Sequence, residues 1–275
     1  MLELPESRDL AQKLRASVVG LRVNKALANA TPHGFAFYHG DPAGYGELLN
    51  GKTIEDAQAF GGQMEMVMEN TRLVINDGIN MRLYPSGGKK PDKHQLLLEL
   101  SDGSALVCTV QMYGGMQAFF EGAYTNPYYL IAKQKPSPLK ESFDETYFMN
   151  MLKDAKPTLS AKAFLATEQR IPGLGNGVLQ DILFRAHIHP KAKLSVLNEK
   201  RRLDMFRAVK ETLQEMTEKG GRDTEKDLHG NPGGYRCLLS KNTLDKPCPV
   251  CGDTLVRQAY LGGNIYFCPT CQPEA

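Results

Sequence analysis

The chain has 275 residues, 41% of them hydrophobic and 23% charged. That length allows two domains, each with its own core, and no apolar run approaches the roughly 20 residues that span a bilayer. With 33 Lys and Arg against 31 Asp and Glu the net charge is only +2, so binding to nucleic acid, which draws its affinity from phosphate neutralisation, needs a local basic face. The opening MLELPESRDL meets charge at once and has no apolar h-region, so the expected location is the cytoplasm.

The segment SRDLAQKLRASVVG sets Leu10, Leu14 and Val18 on one helical face, and Gly20 can stop that helix. From about residue 21 to 130 the pattern becomes short strand-like runs: LRVNKAL, GFAFYHG, QMEMVMEN, RLVIND, QLLLELSDG and SALVCTVQM. Turn signals such as NDG, PSGG and SDGS separate them, which predicts an antiparallel sandwich. KQKPSPLKESFDET reads as a linker with little that could pack. From about 144 to 220 the periodicity is helical, and Gly220 and Gly221 end the last helix. The expected fold is therefore α+β. A helix and β-sandwich occupy 1–135, a helical domain 144–235, and a cysteine-bearing finger 236–275, with its hairpin within 245–273.

Four of the six cysteines form two Cys-x-x-Cys pairs, CPVC and CPTC, sixteen residues apart. In a cytoplasmic chain that spacing indicates a metal. Each short pair grips one ion from a single turn, and the two turns close a tetrahedron. Cys248, Cys251, Cys268 and Cys271 are the expected ligands of one structural Zn²⁺, with no position left for water. Cys108 and Cys237 read as plain thiols.

IPGLGNGVLQDILFRAHIHP places a glycine-rich turn before an amphipathic helix. Free N–H groups at a helix start attract an anion, for which phosphate is the natural ligand, and Asn176 adds an amide beside Gly175. A tight interhelical turn with no ligand fits the same residues. No Gly-Lys-Ser/Thr follows, so the turn is not a Walker loop.

ELPE before a helix, a β-rich domain, the GLGN helical segment and a finger ending FCPTCQ together resemble the formamidopyrimidine-DNA glycosylase/endonuclease VIII family over essentially the whole chain. The resemblance implies a two-lobed monomeric enzyme that clamps damaged or abasic double-stranded DNA between its lobes and flips the damaged nucleotide out. It implies Glu3 and Glu6 on the catalytic side, with Glu3 in the register of the proton-moving carboxylate. Gly175 and Asn176 would lie on the phosphate backbone. Ile79, Gln111 and Tyr113 would lie where the family fills the vacated stack, although ordinary loop packing explains the same residues. No membrane partner is implied.

The sequence also departs from that family. The N-terminal proline whose amine attacks the sugar is absent: Leu2 takes its place, behind a Met1 that a large second residue tends to retain. Gly62 stands where the family has its hairpin lysine, and Gly263 where it has its finger arginine. Lys52, nearby, belongs to a turn. Three functions follow: a base-excising DNA glycosylase with weak or lost abasic lyase activity, a catalytically inactive damaged-DNA-binding protein of the same fold, and a zinc-stapled scaffold for a protein partner.

Overall fold

The computed structural model describes residues 1–274. Its first helix, α1 (Leu4–Val18), starts where Pro5 sets helical φ and the Glu6 carboxylate reaches back 3.3 Å to the Glu3 N–H. It buries Leu10, Leu14 and Val18 and ends at Gly20, whose φ of +87° turns the chain. Next come β1 (Val23–Ala28), β2 (Ala36–Tyr38), the short α2 (Tyr45–Leu49), β3 (Asp56–Phe60), β4 (Gln63–Met68), β5 (Thr71–Asn76), β6 (Ile79–Tyr84), β7 (Leu96–Leu100), β8 (Ala105–Val110) and β9 (Gly114–Phe120).

Two sheets stack face to face, ordered β1-β7-β8-β6 and β2-β9-β5-β4-β3. Their inner faces share a core in which Met64, Met66, Leu73, Ile75, Leu98 and Leu106 are buried. The pairing is antiparallel except between β2 and β9, which run parallel over three residue pairs. Such a pair cannot be closed by a hairpin, and most of the sandwich lies between its strands in sequence. Four elements that the residue pattern left unnamed, β3, β6, β9 and α2, complete the lobe.

The predicted linker is partly structured. α3 (Pro127–Gln134) packs Tyr129 on the outer face of the second sheet, beside Val74 and Phe119. Phe143, within the stretch expected to pack little, is fully buried against Phe148 and Phe206. One aromatic side chain thus seats the linker in the helical core.

The second lobe holds α4 (Glu145–Asp154), α5 (Ala161–Ala166), α6 (Asn176–Arg185) and α7 (Glu199–Glu218). Asp144, Ser160 and Asn198 cap three of these helices through their side-chain oxygens. After α7, Gly220 and Gly221 have φ of +70° and +90° and fold the chain back beneath α1. The finger hairpin is β10 (Val256–Tyr260) and β11 (Gly263–Phe267), in register from Val256↔Phe267 to Tyr260↔Gly263. Lys162 Nζ holds it through the Tyr260 carbonyl at 2.6 Å, and Gln180 accepts from the Tyr266 N–H at 3.0 Å. Among the described residues no helix is long and apolar enough to cross a membrane.

Candidate nucleic-acid interface

The start of α6 explains why its sequence is Gly-Asn-Gly. Both oxygens of Glu3 accept helix-start N–H groups, from Gly177 and Val178, at 2.8 Å each. A Cβ on Gly175 would stand 2.6 Å from the Glu3 Oε1, and one on Gly177 would strike the Arg222 guanidinium. The glycines therefore make room for a charged cluster. The anion expected at this helix start is present, but it is the protein's own Glu3 carboxylate and not a phosphate. The carboxylate takes the N–H groups of Gly177 and Val178, while Gly175 gives it room by carrying no side chain.

Arg222 sits between two carboxylates and is 3% exposed. It forks onto Glu6, with Nε and Nη2 each 2.9 Å from a carboxylate oxygen, while its backbone N–H also reaches Glu6 at 3.1 Å. Its Nη1 lies 3.6 Å from Glu3. Burial would raise the Glu6 carboxyl, but Arg222 outweighs it and holds Glu6 below its ordinary value. For Glu3 burial dominates and lifts the carboxyl above its usual range, against the opposing pull of Arg222 and the two amides. Glu6, expected on the catalytic side, is tied into a bidentate buried pair with Arg222; the two carboxyls are shifted in opposite directions, Glu6 down and Glu3 up. Arg222 escaped the sequence reading, although two glycines before an arginine and two glutamates in ELPE were its signals.

The N-terminus lies at the same place. The Met1 ammonium pairs with Glu225, and the Leu2 N–H donates to the Asp77 carbonyl at 2.7 Å. The β3–β4 hairpin tip arrives here too, for a Cβ on Gly62 would lie 2.9 Å from the Leu2 carbonyl oxygen. Lys52 is remote, paired with Glu69 at 3.0 Å.

Between the lobes opens a cleft of about 360 Å³, lined by Asn80, Arg82 and Gln111 from the sandwich and by Asn176, Gly177 and Tyr266 from the other side. Arg82, Lys226 and Lys241 bring positive charge to its walls against the single carboxylate of Glu225, while Arg222 is answered by Glu3 and Glu6. Asn176 donates to the Asn264 carbonyl of the finger at 2.9 Å, while its own Oδ1 is buried without a partner among the described residues. Gly263 adjoins it.

At the far rim, Gln111, Met112 and Tyr113 form the exposed β8–β9 turn, Met112 being 67% and Tyr113 40% exposed. Ile79 is different. It is 2% exposed and belongs to the sandwich core, where its side chain covers Gly114. The expectation that it fills a DNA stack fails because a wedge must stand free of the core. Met112, which the sequence reading passed over, is the exposed apolar residue of this rim.

The four finger cysteines converge, with all four sulfurs within 4.8 Å of one another. The Cys248–Cys271 and Cys251–Cys268 sulfur separations are 3.8 and 3.5 Å. A tetrahedron with metal–sulfur bonds of about 2.3 Å has edges of about 3.8 Å, so the set fits a four-thiolate metal site.

The family model for the formamidopyrimidine-DNA glycosylase H2TH domain matches residues 135–227. Formamidopyrimidine-DNA glycosylase of Shouchella clausii is 28% identical over 286 residues, covering all of both chains, and that of Symbiobacterium thermophilum 29% identical over 99% of this chain and 90% of its own. Residues 135–227 thus match a formamidopyrimidine-DNA glycosylase domain, and over its full length the chain is similar to proteins of that name. The crystal structure of the MutM (Fpg) protein of Thermus thermophilus superposes with a TM-score of 0.82 at 26% identity, over 99% of each chain. The Lactococcus lactis Fpg in complex with abasic-site DNA has the same fold, with a TM-score of 0.84 at 24% identity over 99% of this chain and 100% of its own.

Proposed function

We propose that the chain is a DNA glycosylase of base excision repair that binds damaged or abasic duplex DNA in the interlobe cleft and releases a base without forming an imine. The observation that carries the reading is Glu3. It is seated on the α6 amides directly behind Gly177 and Arg222 of the cleft wall, with its carboxyl raised by burial, and a carboxyl held in one place by its partners is suited to proton transfer. Base release then runs through water. Glu3 draws a proton from the water as its oxygen bonds to C1′, the glycosidic C–N bond breaks, and the base leaves with that bond's electron pair and takes up a proton.

Three features support loss of the lyase step. The Leu2 nitrogen is a peptide nitrogen, its lone pair delocalised into the Met1 carbonyl, and it is already a donor to Asp77. The Met1 amine is ion-paired with Glu225, and Gly62 supplies no amine. Gln111 and Tyr113 at the cleft rim, together with Met112, are the residues we assign to the opened stack. Asn176 is assigned to a backbone phosphate: its side-chain amide spends one hydrogen on the Asn264 carbonyl and keeps a second to donate, and its backbone N–H is not among those Glu3 takes. Cys248, Cys251, Cys268 and Cys271 would hold one Zn²⁺ as a closed structural site that fastens the finger and takes no part in the reaction.

The test is a panel of lesion-bearing duplexes assayed with and without alkali, alongside borohydride trapping. We expect alkali-revealed strand breaks, no trapped adduct, and a fall of about 10²–10⁴-fold in base release for Glu3→Gln, assayed at a temperature where the variant is folded. Excision of no lesion, with Glu3→Gln indistinguishable from wild type in binding, would establish a binding-only protein instead. A trapped adduct on abasic DNA would overturn the imine-free route.

A further inference from the structure

Behind the β3–β4 hairpin, separate from the interlobe cleft, lies a groove of about 760 Å³. It spans the hinge: α1 and β3 form one wall, the end of α3 and the linker another, and Thr217 of α7 closes it from the helical lobe. Five of its lining residues are cationic, Arg8, Arg15, Lys133, Lys135 and Lys140, and none is acidic.

Two of these charges are answered from outside the groove, Arg15 by Asp56 at 2.6 Å and Lys133 by Glu65 at 3.2 Å. The other three have no acidic partner among the described residues. Lys135 Nζ caps the Gln169 carbonyl at 2.7 Å, and Arg8 makes no side-chain hydrogen bond or ion pair among those residues. Three uncompensated cations in one concavity stand out in a chain whose whole net charge is +2. Burial, and the nearness of Arg15, depress the Arg8 guanidinium below its ordinary value; burial, and Arg170, do the same to Lys135. Holding half-buried cations together costs free energy that a bound anion would return.

We propose that this hinge groove is a second anion site, for a ligand carrying two or more adjacent phosphate groups. Arg8 supplies a planar fork that suits phosphate oxygens, with Lys135 and Lys140 as point charges beside it. The volume falls within the roughly 300–1,000 Å³ of small-ligand sites, well beyond one inorganic anion. The phosphates come from the phosphate chain of a nucleotide or from consecutive phosphodiesters of a strand. Because the groove touches both lobes, its ligand bridges the hinge.

The experiment uses the full, zinc-loaded chain and calorimetric titration with pyrophosphate, ATP and a lesion-free thymidine tetranucleotide. The variants are Arg8→Ala/Lys135→Ala/Lys140→Ala, the exposed Lys140→Glu, which leaves the packing alone, and Lys200→Ala on a distant surface as control. We expect saturable binding of pyrophosphate that falls about tenfold or more in the triple variant and in Lys140→Glu, and stays unchanged in Lys200→Ala. Loss of ATP alongside pyrophosphate identifies a nucleotide as the source; loss of the tetranucleotide alongside pyrophosphate, with ATP unaffected, identifies a strand. If no probe distinguishes wild type from both groove variants, or if Lys200→Ala loses as much, the site does not exist. Retained affinity of the groove variants for lesion duplex separates this result from any failure of the glycosylase reading.

Discussion

Replacing Arg222 by Met removes the single cation that compensates two buried carboxylates. Glu3 and Glu6 are 3% and 8% exposed, and Arg222 itself is 3% exposed, so solvent cannot take over the missing charge. Breaking a buried pair from one side costs about 3–5 kcal/mol, because the partner is left charged and dry. At about 2–4 °C per kcal/mol for a chain of this size, the melting temperature should fall by about 6–20 °C near neutral pH. The pH dependence gives the sharper test. In the wild type Glu6 titrates below its unfolded value, so its contribution is fully present above that value, about 4.3, and is lost as pH falls through the folded value. Without Arg222 the carboxyl is raised instead, and the folded state weakens as pH climbs. The deficit of Arg222→Met relative to wild type should therefore be small near pH 4 and widen toward pH 7. Thermal melts across that range measure it, with Arg222→Lys, which keeps the charge but loses the fork, falling between. A deficit below about 2 °C, or one that does not change with pH, would show that the three groups are not coupled as described.

Cys248→Ser should lower zinc content below one ion per chain and cost several kcal/mol of finger stability, since losing one thiolate forfeits most of the metal's folding contribution; metal analysis and hydrogen exchange at residues 245–273 read it, and a variant with full zinc and unaltered exchange would refute the site. Asn176→Ala should weaken duplex binding about fivefold for every sequence alike, because a phosphate contact positions without specifying; equal affinities for an abasic-analogue duplex would leave GLGNG as a turn only. Tyr113→Ala should leave melting unchanged, since the side chain is exposed, yet weaken lesion-duplex binding by about 1–3 kcal/mol, while Ile79→Ala should cost stability first; the reverse pattern in melting and binding titrations would restore Ile79 as the wedge. Intact-mass measurement should find Met1 retained, and a mass lacking it would reopen the question of which amine faces the sugar.

The elements legible in the sequence were those with a repeating period. Leu10, Leu14 and Val18 announce α1, and the i,i+3/i+4 pattern of RRLDMFRAVKETLQEM announces α7. The cysteine pairs are legible because metal chemistry fixes their spacing. β3, DAQAF, offers only small apolar residues, and β9, GGMQAFF, opens on two glycines that read as a turn; tertiary pairing with β4 and β5 makes them strands. The charged cluster was half legible. Glu3 and Glu6 could be placed by resemblance, but their cation comes from 216 residues further on, and no local pattern connects the two. Ile79 shows the limit of register: an alignment places a residue in a column, whereas burial depends on which way its strand faces.

The contact between Glu6 and Arg222 also sets an order of events during synthesis. At about 5–20 residues per second, 216 residues take roughly 10 to 40 s to emerge. For that interval α1 waits with its first turn incompletely seated: the α6 amides emerge late in it, and Arg222 closes it. The sandwich can collapse around Leu10 and Leu14 in the meantime, but its N-terminal edge stays open until the helical lobe arrives. The first residues of this chain are thus among the last to reach their final place. An added N-terminal tag would burden the closing step and not the early ones, because it would convert the Met1 ammonium that pairs with Glu225 into an amide.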